Sequence, residues 1–99
     1  MGWATPHIQK LARGETVSFR PRGHSMKGKI ESGQLCTVSP VRVEELRAGD
    51  IVLCKVGGAE YLHLVKAVGA DGRVLIGNNR GRTNGWTRSV FGRLVRVED

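Results

Sequence analysis

A serine in a glycine-containing turn is the residue of this 99-residue chain that most suggests covalent chemistry. Ser25 lies within residues 22–27, which read RGHSMK. A serine hydroxyl is a weak nucleophile until a neighbouring base accepts its proton, so the chain must also supply that base. His63 is the candidate, because an imidazole with its ordinary pKa of about 6.5 accepts a proton at neutral pH.

The elements that must hold these two side chains are mostly β-strands. Alternating or β-branched-rich segments predict strands over 16–20, 34–39, 50–56, 60–68, 74–76 and 89–97. Two-residue turns at 57–58 and 71–72 predict hairpins. Thr5 as N-cap, Pro6 in the first turn and Gly14 at the stop predict one short helix. The fold class is therefore a small, mainly antiparallel β domain with one short N-terminal helix.

The chain is long enough for one domain over 1–99, with an N-terminal helical segment at 1–15 and a β core at 16–97. Residues 77–86 lack an apolar period and are rich in turn formers, which predicts a loop. In a regular strand His63 shares a face with Tyr61, whereas Lys66 points to the opposite face. Lys66 is the rival base, but in a regular strand it faces away from His63. A β-bulge would change the direction of its side chain.

The formal charge of +7 and the isoelectric point near 10.3 allow an anionic partner. Two cysteines within apolar segments indicate core thiols rather than a disulfide, and with three scattered histidines they lack zinc-ligand spacing. No metal or cofactor is expected. The absence of a long apolar segment or a secretory signal pattern predicts a cytoplasmic protein without a membrane span.

Five segments in order carry a family resemblance: 23–27 (GHSMK), 30–38 (IESGQLCTV), 48–53 (AGDIVL), the strand with His63, and 91–95 (FGRLV). Together they resemble the clan of serine proteases that contains LexA-like repressors and type I signal peptidases. The match covers about residues 16–97, which the resemblance makes a catalytic core. The short length resembles the soluble repressor-type domains, which are often dimers, although nothing in the sequence marks an interface.

The resemblance implies a role for each site residue. Ser25 corresponds to the nucleophile, and counting forward from the Gly-Asp motif places the base at His63, as in the serine-histidine branch of the clan. The backbone N–H of Ser25, with the turn at Gly23, would hold the oxyanion. Met26 would seat the turn and line the substrate cleft. Where the histidine branch has Gly-Asp-Asn, this chain has Asn78, whose amide could orient the imidazole but could not balance its charge.

The resemblance implies a serine endopeptidase that binds a peptide or protein substrate as an extended strand. The alternative is a non-catalytic basic β module that binds nucleic acid. In that module Arg80, Arg82 and Arg88 would contact phosphates while a base stacks on Trp86, although this indole could equally close the core beneath the loop. A third interpretation is a regulator that docks a protein partner by strand addition and leaves the serine-histidine pair unused.

Overall fold

The seven strands of the protein form one antiparallel sheet in the order β1-β2-β7-β3-β4-β5-β6 in the computed structural model, which describes residues 2–99. The elements are α1 (Thr5–Ala12), β1 (Val17–Phe19), β2 (Leu35–Ser39), a 3-10 turn (Val43–Glu45), β3 (Ile51–Val56), β4 (Ala59–Val68), β5 (Val74–Gly77), β6 (Thr83–Thr87) and β7 (Val90–Glu98). The predicted fold class is confirmed. Within residues 2–99, no helix has the length and apolar character needed to cross a bilayer.

The strand that carries His63 lies in the interior of the sheet. β4 pairs with β3 on one side and with β5 on the other, and His63 stands opposite Val52. The β3–β4 hairpin closes through Gly57 and Gly58, whose φ angles of +58° and +84° favour glycine over residues with a Cβ. A side chain on such a doubly paired strand has little freedom to change its direction.

The central strands carry buried apolar residues on both faces of the sheet, and each face is covered by other parts of the chain. One core cluster contains Leu53, Leu62 and Leu64 and is covered by α1 and by the segment between β1 and β2. The second contains Val52 and Val65 and is covered by the segment between β2 and β3. The alternation predicted along β4 is therefore present.

Helix α1 is fastened to the sheet by a buried carboxylate. The structure differs from the prediction here, because the N-cap is Ala4 rather than Thr5 and makes no side-chain capping bond. Glu60 of β4 does this instead: its Oε1 accepts from the Ala4 backbone N–H at 2.6 Å and its Oε2 from the Thr5 hydroxyl at 2.7 Å. These hydrogen bonds hold the pKa of Glu60 below its usual value.

The predicted loop over 77–86 is partly wrong, since Thr83–Thr87 form strand β6 along β5. The error has a physical reason: β6 lies at the edge of the sheet and buries little of its surface, so it needs no apolar period. Its register is set by backbone pairing, with Trp86 opposite Leu75 and Gly85 opposite Ile76.

Candidate active site

A line of hydrogen bonds joins three side chains from three different parts of the chain. Ser25 Oγ lies 3.0 Å from His63 Nε2, and Asn84 Oδ1 lies 2.7 Å from His63 Nδ1. Ser25 comes from the segment between β1 and β2, His63 from β4 and Asn84 from β6. Spacing in the sequence could not establish this proximity, because 38 residues separate the serine from the histidine.

The asparagine determines which nitrogen of the imidazole carries the proton. An amide oxygen can only accept, so the contact with Asn84 Oδ1 places the proton on His63 Nδ1. Nε2 then presents a lone pair to the Ser25 hydroxyl, which donates to it. This is the tautomer that a general base requires.

His63 is also held in its neutral form. The residue is only 8% exposed, and burial lowers the pKa of the imidazole below the ordinary 6.5. The hydrogen bond that Nδ1–H donates to Asn84 raises this pKa and partly offsets the effect of burial. The Tyr61 ring packs against the imidazole with centroids 4.8 Å apart. At neutral pH the ring is therefore uncharged and able to accept a proton.

The turn that carries Ser25 is anchored on both sides. Met26 and Ile30 are buried in the core cluster beneath it, at 5% and 4% exposure, whereas Ser25 itself remains exposed. The Ile30 N–H donates to the Met26 carbonyl at 2.8 Å. At the entrance, the Gly23 N–H donates to Ser32 Oγ at 3.1 Å, and the glycine has a φ of +121°. The hydroxyl is thus presented to solvent on a fixed backbone.

Asn79 connects this turn to the β5–β6 loop by two further hydrogen bonds. Its backbone N–H donates to the Ser25 carbonyl at 3.0 Å, and its side-chain Nδ2 donates to the Lys27 carbonyl at 2.8 Å. The loop that leads into Asn84 is therefore also the loop that holds Ser25. One structural unit positions both Ser25 and Asn84, the two hydrogen-bond partners of His63.

The assignment of Asn78 as the orienting residue is corrected by these contacts. Asn78 Oδ1 accepts from the backbone N–H groups of Arg80 and Arg82, at 2.8 and 3.0 Å, and so closes its own loop. The contact with His63 belongs to Asn84, which the sequence did not reveal. A sequence signal that could have pointed to Asn84 is the pair of β-branched residues Thr83 and Thr87. These residues favour a strand, on which the side chain of Asn84 has a fixed direction.

Lys66, the rival base, lies at an irregularity of β4. The pairing of β4 with β5 shifts register between Val65 and Ala67, which is the bulge that would alter its direction. The aliphatic stem of Lys66 packs over Gly77, where a Cβ would stand 2.8 Å from Lys66 Cε. Ser25 Oγ nevertheless has His63 as its hydrogen-bond partner.

Of the two predicted oxyanion donors, one is already hydrogen-bonded and the other is free. The N–H of Gly23 is already used by Ser32 Oγ. Among the hydrogen bonds of residues 2–99, by contrast, the backbone N–H of Ser25 donates to no acceptor. Ser25 therefore retains a free donor beside its own hydroxyl, as the predicted oxyanion role requires, while Gly23 contributes the shape of the turn.

Ser25, His63 and Asn84 open into a cleft of about 790 Å³. Its walls include Met26, as predicted from the resemblance, and an aromatic group in which the Trp3 and His7 rings pack on Phe19 with centroids 5.5 and 4.5 Å away. Cavities of this size hold small ligands or several residues of a peptide. The arginines and carboxylates that line the cleft are Arg20, Arg22, Glu31, Glu60 and Arg82.

The other predicted contact residues lie apart from this cleft or at its margin. Trp86 is 47% exposed on β6 and does not close the core. Arg88 reaches Asp71, with Nη2 at 3.8 Å from Oδ2. Arg80 is exposed in the β5–β6 loop. Residues 2–99 contain no group of three potential metal ligands.

The two cysteines do not compete with Ser25 as nucleophiles. Cys36 and Cys54 are buried free thiols in the two core clusters. Burial raises the pKa of both, that of Cys54 to about 12, so neither forms the reactive thiolate at neutral pH.

Comparison of the chain with models of known protein families and with curated proteins gives no match.

Proposed function

We propose that this protein is a serine endopeptidase that cleaves a peptide bond in an extended substrate. The observation that carries the proposal is the hydrogen-bonded line from Ser25 through His63 to Asn84 in an open cleft. The order of motifs that resembles the LexA-like and signal-peptidase clan supports it independently of the geometry.

The chemistry follows from the positions of the protons. Ser25 Oγ attacks the substrate carbonyl carbon as its proton passes to His63 Nε2, and the carbonyl oxygen becomes an oxyanion beside the Ser25 N–H. The tetrahedral intermediate collapses when Nε2 returns this proton to the leaving amine, which leaves an acyl group on Ser25. Water then gives a proton to His63 and attacks the ester, and His63 returns the proton to Ser25 as the acid product leaves.

An extended substrate suits the edges of the sheet. β1 pairs only with β2, and the residues that follow β1 line the cleft on the way to Ser25. Because the outer side of an edge strand offers unpaired N–H and C=O groups, a peptide can add to it as a further strand.

The test compares purified wild type with Ser25→Ala and His63→Ala on a peptide library and on a denatured protein. The proposal predicts specific cleavage by wild type and a loss of about 10²-fold or more in both variants, since each removes half of the proton transfer. A cleavage pattern shared by all three proteins would sink the proposal and indicate a contaminating protease.

One observation favours the nucleic-acid module as a second candidate. The Trp86 indole is 47% exposed on the edge strand β6, next to a loop that carries Arg80 and Arg82. Such an indole offers a stacking surface for a base, with arginines near enough in the chain to contact phosphates. Binding of a single-stranded oligonucleotide that weakens steeply with salt and is lost in Trp86→Ala would support this module; binding insensitive to salt would exclude it.

A further inference from the structure

The charge of the cleft points to the class of substrate. Three arginines line the cleft, and we call Arg20, Arg22 and Arg82 the cleft arginines. All three are exposed. Within residues 2–99, no carboxylate lies within the 4.0 Å ion-pair distance of any of them.

Ion pairing among the other arginines of residues 2–99 is mixed, since Arg42, Arg47 and Arg80 also have no carboxylate within this distance. Five other arginines do have carboxylate partners: Arg13, Arg73, Arg88, Arg93 and Arg96. Arg20 uses one N–H to donate to the Gly33 carbonyl at 2.9 Å, which fixes its direction and leaves its other donors available. The cleft thus offers guanidinium groups whose charge is not neutralised by a neighbouring carboxylate.

The two carboxylates that line the same cleft are engaged in structural hydrogen bonds. Both oxygens of Glu60 are used by the start of α1, where the helix dipole also offsets its charge. Glu31 Oε2 accepts from the Gly28 backbone N–H at 3.0 Å. Neither carboxylate forms an ion pair with a cleft arginine. Both keep their negative charge, so the three arginines and two glutamates together give the lining a net formal charge of +1.

We propose that the substrate is an acidic peptide, bound extended so that its carboxylates meet the cleft arginines. This inference rests on the proposed peptidase function and adds the class of sequence that the cleft selects. Side chains that alternate along an extended peptide place every second residue toward one wall. Glutamate or aspartate at alternate positions around the scissile bond therefore matches guanidinium groups by charge and by hydrogen-bond geometry.

The test uses Ser25→Ala, which keeps the cleft but removes the nucleophile. Fluorescence anisotropy measures the Kd for a peptide with glutamates at alternate positions and for the same peptide with lysines there. Changing Arg20, Arg22 and Arg82 together to Gln should weaken the acidic peptide about tenfold, as expected for a few exposed charge pairs. The matched control changes Arg13, Arg47 and Arg96 to Gln, which lowers the formal charge equally, from +7 to +4.

The control variant should bind the acidic peptide within about twofold of the parent protein at 0.1 M salt, because none of its three arginines lines the cleft and salt screens the attraction between more distant charges. Equal affinity for the two peptides, or equal losses in the two triple variants, would overturn the inference. So would an oligonucleotide that loses affinity in the cleft variant when the acidic peptide has no advantage over the basic one.

Cleavage by wild type separates this inference from the proposed function. If wild type cleaves the acidic and the basic peptide at the same rate, the protein is a peptidase and the substrate inference is wrong. If the acidic peptide binds through the cleft arginines but neither it nor a peptide library is cleaved, the binding site stands and the peptidase proposal fails.

Discussion

Asn84 Oδ1 lies 2.7 Å from His63 Nδ1 and occupies the position from which an aspartate orients the histidine of a catalytic triad. The amide fixes the tautomer as a carboxylate would, but it brings no negative charge. A neutral orienting group leaves the imidazolium formed during attack without a counter-charge. The site thus has the geometry of a triad and the electrostatics of a dyad.

Replacing Asn84 separates these two contributions. Asn84→Ala removes the acceptor for Nδ1–H, and kcat should fall by about tenfold to a hundredfold with little change in KM. Asn84→Asp keeps the acceptor and adds a negative charge, which should raise the His63 pKa and increase kcat. The rate of peptide cleavage, measured as a function of pH, reports both the change in kcat and the change in the His63 pKa. Equal activity in Asn84→Ala and wild type would show that this contact does not act on the base.

Asn79 should matter more for the reaction than its neighbour Asn78. Asn79→Ala removes the hydrogen bond from Nδ2 to the Lys27 carbonyl and loosens the turn that carries Ser25. We expect kcat to fall about tenfold while KM stays similar, because a small displacement of a reacting group is costly. Asn78→Ala serves as the matched control for stability, since it removes the bonds that close the loop. Equal kcat losses at equal thermal stability would contradict a positioning role of Asn79.

Activity should extend to lower pH than an ordinary histidine would permit. Burial lowers the pKa of His63, so the neutral, basic form persists as the pH falls below 6.5 and is lost only at the lower folded-state pKa. The acid limb of kcat/KM should therefore lie below pH 6.5. In Asn84→Asp the same limb should move upward. An acid limb well above pH 6.5 in wild type would indicate a different base.

Substitution of Lys66 tests whether this lysine, and not His63, is the base. Lys66→Met keeps the aliphatic stem over Gly77 but removes the amine, so cleavage should stay within about twofold of wild type. His63→Gln should lose about 10²-fold or more, because it removes the proton acceptor but keeps a polar side chain. The reverse ranking of the two variants in the same peptide assay would identify Lys66 as the base.

Local pattern predicted the strands around Ser25 and His63 because β-branched alternation and glycine turns are read over a few residues. The β3–β4 hairpin, with Gly57 and Gly58 at its turn, lies where that pattern placed it. Strand β6 was missed because an edge strand gains its stability from backbone pairing with β5, a non-local interaction that leaves no apolar period.

Local chemistry alone did not predict the site. The family resemblance implied the contact between Ser25 and His63, and the likeness of residues 77–79 to a Gly-Asp-Asn motif placed the orienting residue at Asn78. The structure instead assigns three tasks to three asparagines of one loop and strand: Asn78 closes the loop, Asn79 holds the Ser25 turn and Asn84 contacts the imidazole. Only the three-dimensional register of β6 against β5 distinguishes them.

The central claim is that His63 activates Ser25, and acylation of the protein by an activated ester tests it most directly. Mass spectrometry of the intact protein and of its peptides would follow the rate and place of modification in wild type, Ser25→Ala and His63→Ala. The account predicts acylation at Ser25 in wild type, at a rate that falls about 10²-fold or more in His63→Ala. An unmodified Ser25, or a rate at Ser25 that is unchanged without His63, would contradict it.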